Sequence, residues 1–71
     1  MAAKDEEMTK APLTGSVWVH TETKGEYSIE GTRKIKYDGV WYDGVDYQAL
    51  SDQEKYWRTF KDFYKNFTEK P

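Results

Sequence analysis

The feature that most limits how this chain can fold is an abundance of aromatic rings combined with a lack of cysteine. Three Trp, six Tyr and three Phe occur among 71 residues, with one His and no Cys. A chain this short buries only about 60% of the surface that its unfolded form exposes, so its core needs reinforcement. Neither disulfides nor a thiolate zinc site can supply it. We therefore expect large rings, each burying roughly 150–250 Å², to hold the core together.

Charge and hydropathy favour a protein that works in water. Charged residues make up 34% of the chain and the net charge is −2. No apolar run approaches the roughly 20 residues of a membrane span. The residues from Met1 to Glu7 also lack the apolar stretch of a signal peptide. We expect a cytoplasmic protein with no membrane partner.

The N-terminal segment differs in composition from the rest of the chain. Residues 1–12 are rich in charge and poor in large apolar side chains, which predicts a mobile arm. Residues 13–71 are expected to form a single small β-rich domain. Within it, residues 17–20 predict a first strand, because side chains alternate between the two faces of an extended chain. Trp18 and His20 would then share one face.

Three further strands are predicted where apolar and polar residues alternate. Tyr27 and Ile29 mark the second, residues 33–37 the third and residues 45–49 the fourth. Gly31 separates the second from the third and is expected to break or bulge the chain.

Two Asp-Gly pairs, Asp38-Gly39 and Asp43-Gly44, lie five residues apart. Asp-Gly suits turns that need positive φ. Only one of the two pairs can occupy the tip of a tight hairpin, so the other is expected at a bulge or in a loop.

The last twenty residues fit two arrangements. A capping-box pattern from Ser51 and the helical spacing of the aromatic residues predict one amphipathic helix over about residues 52–68. Alternatively, Thr59 caps a shorter helix over residues 60–67, and residues 55–58 form a final strand. Periodicity alone leaves both arrangements open.

An ordered set of residues resembles a family of small bacterial and phage proteins known as a domain of unknown function. Members carry Gly-x-Tyr-x-His-x-x-Lys-Gly-x-x-Tyr-x-Val-x-Gly, then Val-x-Tyr-x-Ala-Leu, then Trp-Val-Arg-Pro ahead of a Phe. The matching positions here are Gly15, Trp18, His20, Lys24, Gly25, Tyr27, Ile29, Gly31, Val45, Tyr47, Ala49, Leu50, Tyr56, Arg58 and Phe63. Tyr56 replaces a Trp, Thr59 replaces a Pro, and residues 33–44 are not covered.

The resemblance implies a mainly β (α+β) fold, namely a small SH3-like antiparallel barrel of about five strands with a C-terminal amphipathic helix. It favours the second arrangement of the C-terminal residues, with a strand followed by a short helix. It also implies a phage or prophage origin. The family has no established activity to carry over.

Catalysis and metal binding are not expected. His20 is the only histidine, and its nearest acidic residues, Glu22 and Glu26, are close in sequence alone. Asp38 and Asp43 lack the spacing of a calcium loop and fit turns better. We therefore expect no enzyme activity, no metal and no cofactor.

Trp41 and Tyr42 are the leading candidates for a binding surface. Neighbouring residues of a strand face opposite sides, so both cannot enter one core. Exposed Trp and Tyr often dominate the energy of protein interfaces. Trp18 and His20, on one face of the first strand, are further candidates. We expect a non-catalytic adaptor or inhibitor that binds a host protein.

The alternative is a small barrel that binds nucleic acid. Arg33, Lys34 and Lys36 form the one basic cluster, and Tyr37 beside them could stack on a base. Lysines on a strand edge also discourage pairing with other chains, which is the simpler role. The acidic residues around the cluster, which weaken its field, are Glu26, Glu30, Asp38 and Asp43.

Overall fold

The computed structural model describes residues 10–71, which form one five-stranded antiparallel sheet and one short helix. The strand order across the sheet is β4-β3-β2-β1-β5. The elements are β1 Val17–His20, β2 Glu26–Tyr37, β3 Val40–Ala49, β4 Lys55–Thr59, α1 Phe60–Asn66 and β5 Phe67–Glu69. The mainly β prediction is confirmed. The sheet is open, with β4 and β5 at its edges, so a barrel is not confirmed.

The second and third predicted strands are one continuous strand, β2, with an irregularity at Gly31. Ile29 lies opposite Tyr47, whereas Gly31 lies opposite Asp46, so Glu30 is the extra residue of a β-bulge. The prediction that Gly31 breaks or bulges the chain is confirmed as a bulge. The backbone hydrogen bonds of β2 therefore continue past the glycine.

Asp38-Gly39 forms the hairpin tip between β2 and β3. Tyr37 lies directly opposite Val40, and both turn residues have positive φ, 52° for Asp38 and 79° for Gly39. These are the dihedral angles of a two-residue turn that matches strand twist. The second Asp-Gly pair lies within β3, where it neither turns nor breaks the strand.

The C-terminal residues adopt the second predicted arrangement, a strand followed by a short helix. Thr59 is extended, and its hydroxyl accepts a hydrogen bond from the Asp62 N–H at 3.1 Å. This cap begins α1 directly after β4. The helix ends at Asn66 because Phe67 is extended and pairs with His20 of β1. The sequence did not predict β5, whose first residue carries on the apolar stripe of the helix.

Aromatic rings dominate the core, as composition predicted. The buried cluster contains Trp18, Ile29, Val45, Tyr47, Phe63 and Phe67, four of them aromatic. Phe63 and Phe67 stack with ring centres 4.3 Å apart, and Trp18 meets Phe63 edge-on at 5.2 Å. The sheet and α1 thus share one small core.

Part of the predicted N-terminal arm lies against the domain. Pro12 is buried, and the Tyr64 hydroxyl donates a hydrogen bond to the Lys10 carbonyl at 2.7 Å. Residues 1–9 of the predicted arm lie outside the described residues.

Candidate functional site

The outer half of the β2–β3 hairpin extends beyond the strands that flank it. β1 pairs with β2 as far as Ser28, and β4 pairs with β3 from Gly44 onward. Residues 34–43, termed the ribbon here, pair across the hairpin with each other. Within the described chain, no strand adds to either outer edge of the ribbon. Such a two-stranded segment presents free backbone groups as well as side chains.

One face of the ribbon is apolar. Ile35 lies opposite Tyr42 and Tyr37 opposite Val40, and residues opposite each other share a face. Tyr37 is 73% exposed and Tyr42 41%, while Ile35 is half-buried. These four residues, termed the apolar ribbon face, form one apolar surface, of which Tyr37, Val40 and Tyr42 are exposed.

The opposite face of the ribbon carries Trp41 among charged side chains. Trp41 lies opposite Lys36, whose ammonium nitrogen is 5.9 Å from the centre of the indole. Lys34 lies opposite Asp43, with 3.9 Å between its nitrogen and a carboxylate oxygen. Trp41 is 62% exposed. Trp41 and Tyr42 thus face opposite sides, as alternation predicted, and neither enters the core.

Trp57 of β4 packs against the base of the ribbon. Its indole nitrogen donates a hydrogen bond to the Arg33 carbonyl at 3.0 Å. A side-chain carbon added at Gly44 would lie 2.1 Å from the Trp57 ring. The glycine therefore lets the ring lie flat over the strand, which anchors the ribbon to the sheet.

The residues predicted to bind nucleic acid do not form one surface. Arg33 donates from Nη2 to Asp46 at 2.8 Å, and this hydrogen bond raises the pKa of the guanidinium. By strand register, Arg33 and Tyr37 share the apolar side of the hairpin, while Lys34 and Lys36 lie on the side of Trp41. Asp46 and Asp43 partly neutralise two of the three cations.

Trp18 and His20 lie away from the ribbon, on β1. Trp18 is 8% exposed and donates from its indole nitrogen to the Ser16 hydroxyl at 2.9 Å, so it belongs to the core. His20 is half-buried and lies edge-on to Phe67 at 4.9 Å. Its Nδ1 accepts from the backbone N–H groups of Glu22 and Thr23, at 3.3 and 3.2 Å.

His20 helps to line a second feature, which the sequence did not predict. A cleft of about 140 Å³, termed the aromatic cleft, is lined by His20, Thr23, Tyr27, Tyr47, Tyr56, Arg58 and Phe67. Five of these residues, namely His20, Tyr27, Tyr47, Tyr56 and Arg58, also carry the resemblance noted in the sequence. The lining residues come from several strands and meet through long-range contacts. Their spacing in the sequence therefore does not indicate the cleft.

Arg58 organises the polar side of the aromatic cleft. Its Nε donates to the Tyr47 hydroxyl and its Nη1 to the Asp62 carboxylate, both at 2.7 Å. The guanidinium carbon lies 5.5 Å from the Phe67 ring centre. Burial raises the pKa of Tyr47, and the hydrogen bond from Arg58 opposes that rise. The phenol is thus held neutral as well as oriented.

Over residues 10–71, no three His, Asp or Glu side chains lie together in a way that could hold a metal ion. In the same span there is no helix with the length and apolar character needed to cross a bilayer. Comparison of the chain with protein-family models, curated proteins and solved structures gives no match.

Proposed function

We propose that this chain is a non-catalytic module that binds another protein through the ribbon. The observation that carries the proposal is the clustering of exposed apolar side chains. Of seven exposed large hydrophobic residues in the described part of the chain, four are Tyr37, Val40, Trp41 and Tyr42, and the others are Leu13, Leu50 and Tyr56. Tyr37, Val40 and Tyr42 lie together on the apolar ribbon face, and Trp41 lies on the opposite face. Contiguous exposed apolar surface on a small domain commonly marks a protein interface.

The chemistry of the ribbon fits a protein partner better than a nucleic acid. Trp and Tyr bury much area at low entropic cost and dominate protein interfaces. Two of the three cations near them are partly compensated, because Arg33 pairs with Asp46 and Lys34 lies near Asp43. A phosphate backbone needs uncompensated positive charge. Trp18 is left out of the proposed surface because it is buried.

A pull-down from a bacterial lysate, quantified by mass spectrometry, tests the proposal. The bait is the full chain, and the test variant is Trp41→Ala/Tyr42→Ala. Leu13→Ala provides a matched control, because Leu13 is exposed but lies outside the ribbon. We expect a protein that is captured by the wild type and by Leu13→Ala and is lost with the double variant. Equal capture by all three baits would refute the proposal.

The narrower proposal is that the chain is a phage or prophage adaptor or inhibitor of a host protein. It rests on the resemblance and on the surroundings of His20 within residues 10–71, where two backbone N–H groups occupy Nδ1 and no catalytic arrangement is formed. A captured host enzyme whose activity falls on addition of the purified chain would support inhibition. Unchanged activity of the captured protein would favour an adaptor role.

We also propose that the fold is SH3-like, as the resemblance implies. Five antiparallel strands and a bulge in β2, a feature that bends sheets, support it. Nuclear Overhauser contacts between the edge strands β4 and β5 would establish closure in solution. Their absence would leave an open sheet.

The alternative is binding of single-stranded nucleic acid by Lys34, Lys36 and Trp41 on one ribbon face. A titration with oligonucleotides at rising salt separates the two functions, since phosphate binding weakens steeply with salt. Lack of binding at low salt would remove this alternative.

A further inference from the structure

We propose that the aromatic cleft is a second binding site and that it takes a carboxylate group. The site is separate from the ribbon and does not depend on the function proposed for it. His20, Arg58 and Tyr47 each bring to the cleft a hydrogen-bond donor without a described acceptor, in addition to the hydroxyl groups of Thr23, Tyr27 and Tyr56, and none of the seven lining residues is acidic. A group that only accepts hydrogen bonds is the ligand that matches such a lining.

His20 supplies the first donor. Two backbone N–H groups point at Nδ1, from Glu22 and Thr23. An atom that accepts hydrogen bonds carries no proton, so the neutral ring holds its proton on Nε2. The turn after β1 thus fixes the tautomer, and the described residues give that N–H no acceptor.

Arg58 and Tyr47 supply the other two donors. Arg58 uses Nε for the Tyr47 hydroxyl and Nη1 for Asp62, which leaves Nη2 without a partner in the described structure. The Tyr47 oxygen accepts from Arg58, so its own proton remains available. Three strands that are distant in sequence, β1, β3 and β4, thus bring donors to one cleft.

Size and charge favour a carboxylate over a phosphate. The cleft volume of about 140 Å³ suits a small planar group such as a carboxylate. The Asp62 carboxylate lies 2.7 Å from Arg58 Nη1 and offsets part of the charge of the guanidinium. The remaining positive charge matches a monoanion better than a dianion. The carboxylate could belong to a free acid or to an acidic residue of a bound polypeptide, which the test separates.

Titration of the ¹⁵N-labelled full chain, followed by two-dimensional NMR, tests the proposal. The ligands are sodium acetate, sodium benzoate, inorganic phosphate and a capped peptide containing one Glu. Sodium chloride at matched ionic strength and the same peptide with Gln are the controls. We expect saturable shifts at the Glu22 and Thr23 amides and at Arg58 Nε, with a Kd in the millimolar range, on the order of −4 kcal/mol.

Two substitutions make the assignment specific. Arg58→Met keeps the apolar stem and removes the donors, so affinity should fall about tenfold, the usual scale for one charge-assisted hydrogen bond. Arg33→Met is the matched control, because Arg33 is also paired with an aspartate but does not line the cleft. Asp62→Asn removes the competing carboxylate from Arg58, so affinity should rise about threefold.

Each result of the titration either supports or overturns the proposal. Binding by the Glu peptide without binding of acetate or benzoate indicates a polypeptide ligand, whereas the reverse indicates a free acid. Shifts that do not saturate below about 100 mM ligand, or that chloride reproduces, overturn the site. Tighter binding of inorganic phosphate overturns the carboxylate assignment. Should Arg58→Met fail to fold, an unchanged affinity in Asp62→Asn is sufficient to overturn the proposal.

Discussion

The indole of Trp57 covers the bare backbone of Gly44 at the base of the ribbon. The ring approaches so closely that a side-chain carbon on Gly44 would lie 2.1 Å away, and it donates a hydrogen bond to Arg33 across the hairpin. An aromatic ring packed over a strand glycine restores the side-chain contact that the glycine lacks.

Gly44→Ala should therefore destabilise the protein. The new carbon would meet the Trp57 ring at 2.1 Å and the backbone oxygen of Arg58 at 2.5 Å, so backbone as well as side chain must shift. Overpacking of this kind costs about 1–3 kcal/mol or more. Urea unfolding should show the loss, while Gly31→Ala, which meets nothing within 4 Å, should change stability far less. Equal effects at the two glycines would contradict the packing described for Trp57.

Phe63→Ala should have the largest effect among single core substitutions. Phe63 is fully buried and packs against both Phe67 and Trp18. Truncating a buried Phe costs about 3–5 kcal/mol, a large share of the stability of a small domain. Circular dichroism during thermal unfolding should show a strong fall in Tm. Tyr37→Ala, at the exposed ribbon, is the control and should leave Tm nearly unchanged.

The sequence was informative where local rules decide the structure. Asp38-Gly39 was a candidate turn because both residues tolerate positive φ, and Thr59 was a candidate cap because its hydroxyl can reach the first turn. Local rules leave open which Asp-Gly pair turns the chain, and in the structure the second pair lies in β3, where Trp57, distant in sequence, packs against Gly44. Strand β5 was missed for the same reason, since Phe67 fits the helix stripe and becomes extended by pairing with β1.

The same distinction between local rules and contacts distant in sequence applies to the candidate sites. Trp41 and Tyr42 could be predicted to face opposite sides, because alternation is a local property of strands. That both lie outside the core depends on how far the β2–β3 hairpin extends beyond the flanking strands β1 and β4. The aromatic cleft could not be predicted, because His20, Tyr47 and Arg58 meet through strand order across the sheet.

Thr59→Ala should weaken the junction between β4 and α1. The Thr59 hydroxyl accepts the Asp62 N–H, and loss of an N-cap of this kind costs about 1 kcal/mol. Thr59→Ser keeps the oxygen and should retain most of the stability. Chemical denaturation of both variants tests this, and a similar loss in Thr59→Ser would indicate that the methyl group, rather than the cap, matters.

Tryptophan fluorescence should separate the exposed ring from the buried one. Trp41 is exposed and Trp18 is buried, so iodide should quench Trp41 preferentially. Trp41→Phe should remove most of the quenchable emission and change the free energy of unfolding by at most about 0.5 kcal/mol, the usual range for surface positions. Quenching that persists in Trp41→Phe would show that another Trp is accessible.

Stability should decline in alkaline solution as Tyr47 ionises. Burial raises the pKa of Tyr47 in the folded state above the unfolded value, so folding favours the protonated phenol. This contribution is fully present below about pH 10, the ordinary phenol pKa, and is lost as the pH rises through the folded pKa. Unfolding at a series of pH values should show a smaller alkaline decline in Tyr47→Phe. An equal decline in both proteins would place the effect on other groups.

The bulge at Glu30 affects the direction in which the ribbon points, whereas the residues of the ribbon determine the chemistry of its surface. One extra residue in β2 shifts the register between Ile29 and Gly31, and such bulges bend a strand, whereas residues 34–37 pair regularly with residues 40–43 across the turn. Deleting Glu30 would straighten the ladder and turn the whole ribbon toward a new angle without altering a single residue on it. The same ribbon surface could therefore be re-aimed during evolution, or by design, through a change in length at one position.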